Sequence, residues 1–323
     1  MASHRFRVLK LIPFLKKVGI EAGVLRFHPK MEYITTLRLA LDQLRFIYTP
    51  RLVVFQKTHA FSLVSMARHM GANCVLDIDD GSFQRIDGSW YPDEVQVRLR
   101  QWYGLMDAIV ASCNELREWF SSMNDRVYVI PTCVDTETNQ YIHSKNHSRC
   151  VIGWVGSNLS ELFLKPLESV LHFMSQYRNC ETLIIAGNDP QLKPEVKSRF
   201  ILWEISLEPS VFNEIDIGIM YLPNNNERAR MKAGFKLLQY MAAGLPVVAS
   251  PIGVNKDIVR HGWNGFLAET LEDWKKYLEI LAGEPEMRIR MGQNGRAFVN
   301  KNYHLRVAAD LWKTVCSDIF QLS

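Results

Sequence analysis

RMKAGFKLLQYMAAGLPVVAS, residues 230–250, decides how the rest of the chain is read. Its pattern predicts a helix over 235–243 that stops at Gly244, with Pro246 beyond, followed by a buried strand over 246–250. Lys232 and Lys236 stand on either side of Gly234, where that helix begins. A glycine there lets a ligand approach the backbone, and the free N–H groups at the positive end of the helix dipole attract an anion. Two lysines beside it point to a phosphate or a diphosphate. The competing reading is an ordinary αβ unit with two solvated lysines, because lysine is mostly exposed.

Working outward, the same alternation fills the chain. Before the lysine stretch, VIGWVGS (151–157), TLIIAGN (182–188), SRFILWEI (198–205) and DIGIMYLP (216–223) read as strands, with an amphipathic helix at 161–177. Three helices follow, at LEDWKKYLEILAG, EMRIRMGQNGRAFVN and HLRVAADLWKTVCSDIF. An earlier series repeats the theme: a helix over 33–48, strand LVVFQK (52–57), helix 60–71, strand NCVLDI, helix 93–106, strand DAIVAS, helix 114–123 and strand VYVIP. Between the two series, TCVDTETNQYIHSKNHSR is polar and unperiodic. Alternating β and α elements imply mostly parallel sheets covered by helices, with ligands at the C-terminal strand ends. The expected domains are 1–140, 141–305 and a C-terminal helix 306–323 packing back on the first.

Composition bounds the class. The 323 residues, 47% hydrophobic and 22% charged, suit two globular α/β domains rather than a disordered or fibrous chain. No apolar run approaches the roughly 18 residues of a membrane span, and no signal peptide is evident. The six cysteines form no CxxC pair, so they read as reduced, structural and cytosolic. The first 30 residues hold seven basic side chains against one acid, a net +6 where the whole chain has +4. That segment reads as a first strand, VLKLIP, followed by a solvated basic loop; the alternative is peripheral contact with an anionic membrane at its inner face. No nucleic-acid partner is expected. Trp154, Trp203 and Trp263 read as packing residues.

The segments VIGWVGSN, DIGIMYLP, RMKAGFKLLQYMAAGLPVVASPIGVNKDIV and HGWNGFLAET, in this order and spacing, resemble the C-terminal domain of glycosyltransferase family 4, the glycosyl transferases group 1. CVLDIDDG, DAIVASCNEL and VYVIPTCVD resemble a subgroup with an aspartate-rich DIDD strand end. The resemblance implies an α/β fold of the GT-B type, two Rossmann-like domains facing each other across a cleft. It also implies a retaining transfer from a nucleotide diphosphate sugar (UDP- or GDP-) to a glycan, polysaccharide or lipid-linked acceptor, with no cofactor and no obligatory metal. Within it, Lys232 and Lys236 are the expected diphosphate clamp, helped by Arg230. Gly156, Ser157, Asn158, Gly234, Phe235, Gln239, Gly253 and Asn255 line the donor side. The family's usual pair of glutamates falls on Met231 and Gln239, and its usual arginine after the glycine turn falls on Ser157.

LDIDDG permits three readings. One is a phosphatase motif with Asp77 as nucleophile, which Gly81 opposes by standing where Thr or Val is needed. A second is a divalent-metal DxD site. In the third, a strand end faces the cleft, with Asp79 and Asp80 on donor-sugar or acceptor hydroxyls, Asp80 near the chemistry, and Lys57 and His59 on the same rim. Asp80 as a cap of the next turn is the structural alternative. The loss of both glutamates leaves open a non-transferring sugar-nucleotide-binding protein or a sugar-nucleotide epimerase.

Overall fold

The computed structural model describes residues 4–24, 52–57, 61–85, 87–137, 149–156, 163–207 and 210–321. They form two units: one drawn from Met1–Phe83, Trp90–Thr132 and Leu305–Ser323, the other from Gln84–Ser89 and Cys133–His304. Among the described residues no helix is long and apolar enough to cross a membrane.

In the first unit, strands β1 (Leu52–Gln56), β2 (Asn73–Ile78), β3 (Ala108–Ala111) and β4 (Val127–Val129) form a parallel sheet in the order β1-β2-β3-β4. The apolar runs predicted as strands are buried on both faces, as at Val75, Leu76, Ile109 and Val110, because helices cover the sheet. Helix Leu305–Gln321 packs against helix Ile12–Lys17 within this unit.

The opening segment departs from expectation. VLKLIP is not a strand: Arg5–Leu9 is a π-helical turn and Ile12–Lys17 an α-helix with Pro13 in its first turn. Proline is tolerated there because its missing N–H has no helical partner to lose. Phe6, Arg7 and Leu11 are the buried side chains, a helical spacing that two-residue alternation would not produce. Arg7 is therefore not part of a solvated basic loop. Its guanidinium forms an ion pair with Asp77 of β2, with Nε 2.9 Å from Oδ2, and donates to Ile130 O (2.9 Å) and Thr132 Oγ1 (3.2 Å).

In the second unit the sheet is again parallel, in the order β10-β9-β8-β5-β6-β7. These strands are β5 (Cys150–Val155), β6 (Cys180–Ala186), β7 (Ser198–Leu202), β8 (Ile217–Met220), β9 (Val247–Ala249) and β10 (Gly265–Leu267). Strand β5 has β6 on one side and β8 on the other, so the winding reverses beside it. Such a reversal opens a crevice at the C-terminal strand ends, which here are Val155 and Met220.

Helix Phe235–Ala242 is bound to this point by one side chain. Tyr240 is fully buried, accepts the Val155 N–H at 2.8 Å and donates to Gly153 O at 3.2 Å. Burial pushes its hydroxyl well above the ordinary tyrosine range, so it stays protonated and keeps that donor. Its ring lies on Gly218 of β8, where a Cβ would collide with it. Helix Pro285–Asn302 closes over the other side through Gly292, which meets the Gly244 carbonyl, and Gly295, which meets Met241.

Two stability measurements check these joints. Removing one partner of a buried ion pair leaves the other charge uncompensated, so Arg7→Met should lower unfolding free energy by about 3–5 kcal/mol in urea titration. Tyr240→Phe should cost about 1–3 kcal/mol because the Val155 N–H and Gly153 carbonyl lose their partner without gaining water. Wild-type stability in either variant would show that the corresponding contact does not hold the unit together.

Candidate functional site

The helix start at Gly234 is built locally. Gly234 is the N-cap, with φ +64°, a left-handed conformation that glycine adopts without a Cβ clash. A Cβ there would also run into Ile258 and Val254. The loop carrying these residues is held by a second glycine. Gly253, at φ +51°, sits so close to the Arg230 carbonyl that any side chain would collide with it. Two glycines thus bring loop 253–258 against the segment that leads into the helix.

Around that start the structure gathers the predicted donor-side residues of the second unit. Lys236, on the first turn, places its Nζ 4.5 Å from the centre of the Trp154 ring. Trp154 in turn lies under Gly156, whose missing side chain makes room for the indole and whose N–H donates to Ile185 O at 2.8 Å. Lys232 Nζ stands 4.7 Å over the Phe163 ring. Phe235 opens the helix half-buried, and Gln239 is buried one turn further on. Asn255 has no solvent exposure. Its Nδ2 donates to Ser250 O at 3.0 Å, and its Oδ1 lacks a partner among the described residues. Arg230 points elsewhere, its Nη2 donating to Asn224 O at 3.3 Å. Ser157 and Asn158 lie outside the described residues.

The electrostatics of this cluster are one-sided. Among the described residues no carboxylate is paired with Lys236, and the neighbouring charge that acts on it is that of Lys232. Desolvation, with the Lys232 charge adding to it, pulls the Lys236 ammonium down to about 7. The aromatic ring beneath returns part of what water would supply, since a cation over an indole face is attracted to its quadrupole. A half-buried lysine without an acid among the described residues, beside a second lysine and the positive end of a helix, is a candidate anion site.

The aspartate-rich strand end of the first unit forms a separate cluster. Lys57, which follows β1, has φ +50°, an uncommon conformation for a non-glycine residue. Its Nζ lies 2.6 Å from Asp79 Oδ1 and 2.8 Å from Asp80 Oδ2. Burial works against its charge, but the fields of the two carboxylates outweigh that and raise the ammonium above the ordinary lysine value. Asp77, two residues earlier, is engaged by Arg7, so its carboxylate is not the free nucleophile that the phosphatase reading requires. His59 lies outside the described residues.

Three residues of the second unit matter more than the sequence suggested. Trp154 reads as core and is buried, yet its ring is the seat of Lys236. Tyr240 follows Lys236 by four residues, a spacing that puts both on one helix face, which was the available signal. Phe163 gave none. Trp263, also read as packing, is 40% exposed and stands beside Arg260.

Comparison with known proteins bears on the fold. Residues 149–282 match the family described as Glycosyl transferases group 1. Among curated relatives, spore coat protein SA of Bacillus subtilis is 36% identical over 75 residues, 22% of this chain and 20% of that protein. Stretches matched in the curated relatives amount to between 16% and 23% of their lengths. Sucrose-phosphate synthase of Thermosynechococcus elongatus superposes with a TM-score of 0.70 at 13% identity, over 98% of this chain and 93% of that one. Anabaena HepE, determined in complex with UDP and glucose, gives 0.69 at 15%, over 95% and 88%. The fold is that of the GT-B glycosyltransferases, and residues 149–282 within it carry the match to the Glycosyl transferases group 1 family.

Proposed function

We propose that the chain transfers a sugar from a nucleotide diphosphate sugar to a glycan, polysaccharide or lipid-linked acceptor, with retention at the anomeric carbon. The observation that carries this reading is Lys236: a half-buried lysine, seated on Trp154 beside Lys232, at a helix start and without a carboxylate partner among the described residues. Cleaving the sugar–phosphate bond develops negative charge on the departing diphosphate and positive charge on the sugar. Cations and helix N–H groups fixed at the diphosphate stabilise that transition state more than the ground state. Helix Phe235–Ala242, whose N-cap Gly234 supplies no side-chain cap, turns the positive end of its dipole to the same anion in this reading.

In this reading the acceptor attacks from the face the diphosphate leaves, and the diphosphate oxygen takes the acceptor's proton. No side-chain nucleophile and no metal are then needed, because Lys232 and Lys236 balance the leaving charge. Asn255 Oδ1 accepts a hydroxyl of the donor, and Gln239 replaces a ribose-binding glutamate as a neutral hydrogen-bonding group. The Anabaena neighbour's complex with UDP supports a uridine or related nucleotide. The Lys57–Asp79–Asp80 cluster holds sugar or acceptor hydroxyls, with Lys57 fixing the two carboxylates.

Activity is read as release of UDP or GDP from a panel of nucleotide sugars in the presence and absence of sugar acceptors. Acceptor-dependent release with a new glycoside supports transfer; binding without release supports a sugar-nucleotide-binding protein, and a changed sugar without a glycoside supports an epimerase. Lys232→Ala or Lys236→Ala should lower turnover by about 10²-fold, the scale of losing one charge-stabilising donor. Unchanged turnover in both would remove the clamp from the mechanism.

The pH dependence follows from the depressed Lys236 value. Diphosphate needs the charged lysine, so only the protonated fraction binds, and affinity for a nucleoside diphosphate should rise roughly tenfold from pH 8.5 to pH 7. Calorimetry in buffers of different ionisation enthalpy should show proton uptake on binding, smaller in Lys236→Met. Stability moves the other way. Between about 7 and the ordinary lysine value of 10.5, the unfolded chain binds the proton that the folded chain rejects, so stability should rise with pH across that window. Lys236→Met should therefore flatten that rise in thermal melts while weakening nucleotide binding.

A further inference from the structure

Cys150 opens β5 and Cys180 opens β6, and these residues are register partners in the parallel pairing of the two strands. Register partners project from the same face of a sheet. The two thiols lie close enough to perturb each other's ionisation, and Cys180 Sγ donates to Arg178 O at 3.5 Å. Their mutual interaction and burial couple the two thiols, so that one proton leaves the pair below the ordinary thiol value and the other is held above it, the single thiolate belonging to the pair. Cys150 is half-buried, which leaves a path from solvent, and Cys180 is enclosed at 2% exposure. Neighbouring strands run about 4.8 Å apart, inside the window of about 4.4–6.8 Å between Cα atoms that a disulfide spans.

We propose that Cys150 and Cys180 are a vicinal dithiol that closes to a disulfide across β5 and β6 when oxidised by a peroxide, and reopens under a thiol reductant. Cys150 Sγ attacks one peroxide oxygen, the O–O bond breaks, and water leaves with the thiol's proton, giving a sulfenic acid. Cys180 Sγ then attacks that sulfur, the S–O bond breaks, and a second water departs with the Cys180 proton as the S–S bond forms. Two electrons pass from the two sulfurs to one peroxide. Because the strands are already paired at this position, closure needs only side-chain rotation. The sugar-transfer reading does not use these thiols, so neither proposal depends on the other.

The test is oxidation of the full chain with hydrogen peroxide, followed by thiol blocking and peptide mapping without reduction. Trypsin cuts after Arg149, Arg178 and Lys197, the bonds before Pro166 and Pro194 being resistant, which places Cys150 and Cys180 on separate peptides. The expected result is one linked species joining these peptides, a mass loss of two hydrogens, and two blockable thiols fewer of the six. Dithiothreitol should restore both. In Cys150→Ser and Cys180→Ser the linked species should be absent, with the remaining thiol of the pair still blockable or singly oxidised. If wild-type protein keeps both thiols free, oxidises them singly to sulfinic acid, or links either to a different cysteine, the proposal is overturned.

Discussion

The hydroxyl of Tyr240 is the contact on which the second unit's site depends. It joins the last residues of β5 to helix Phe235–Ala242 by accepting the Val155 N–H and donating to Gly153 O. Those bonds fix the register between a strand end and a helix, and the candidate site's Trp154 and Lys236 sit at that register. Trp154 lies between the two bonded residues, and Lys236 lies one turn before Tyr240 on the helix, so the lysine lands on the indole. Gly218 makes the arrangement possible by offering a flat strand to the tyrosine ring.

The price of this geometry is a desolvated lysine. Packing Lys236 on Trp154 beside Lys232 removes water without supplying a carboxylate, and the ammonium gives up much of its proton affinity. A structural role would be better served by an apolar side chain, since a buried charge without a partner is costly. The first unit solves the same problem in the opposite way. There Arg7 and Asp77 enter the interior together, and Lys57 is matched by two carboxylates. The contrast separates charges that are paired within the folded chain from one that meets no carboxylate among the described residues.

Much of the fold was legible from apolar run length. Short runs such as NCVLDI, TLIIAG and PVVAS, each flanked by turn residues, became buried strands of parallel sheets, because only helices on both faces can cover such runs. The helix start at Gly234 was legible because its cause is local: a glycine that takes a left-handed backbone just before an amphipathic segment. VLKLIP was misread because its alternation resembles a strand. The deciding partner, Asp77, lies 70 residues away, and its pull on Arg7 has no trace in the segment itself. The cysteines illustrate the same limit, since Cys150 and Cys180 become neighbours only through strand pairing.

What the sequence determined by itself was the alternation of strands and helices, the two αβ series and the glycine-marked helix start with its lysines. Each rests on period, length and turn chemistry within a few residues of chain. Tertiary structure alone decided that Lys236 lies on Trp154, that Tyr240 ties the helix to β5, that Arg7 is buried against Asp77 and that Lys57 bridges Asp79 and Asp80. The physical reason is that charge and hydrogen-bond partners are chosen by distance in space, and the folded core sets those distances between residues far apart in the chain.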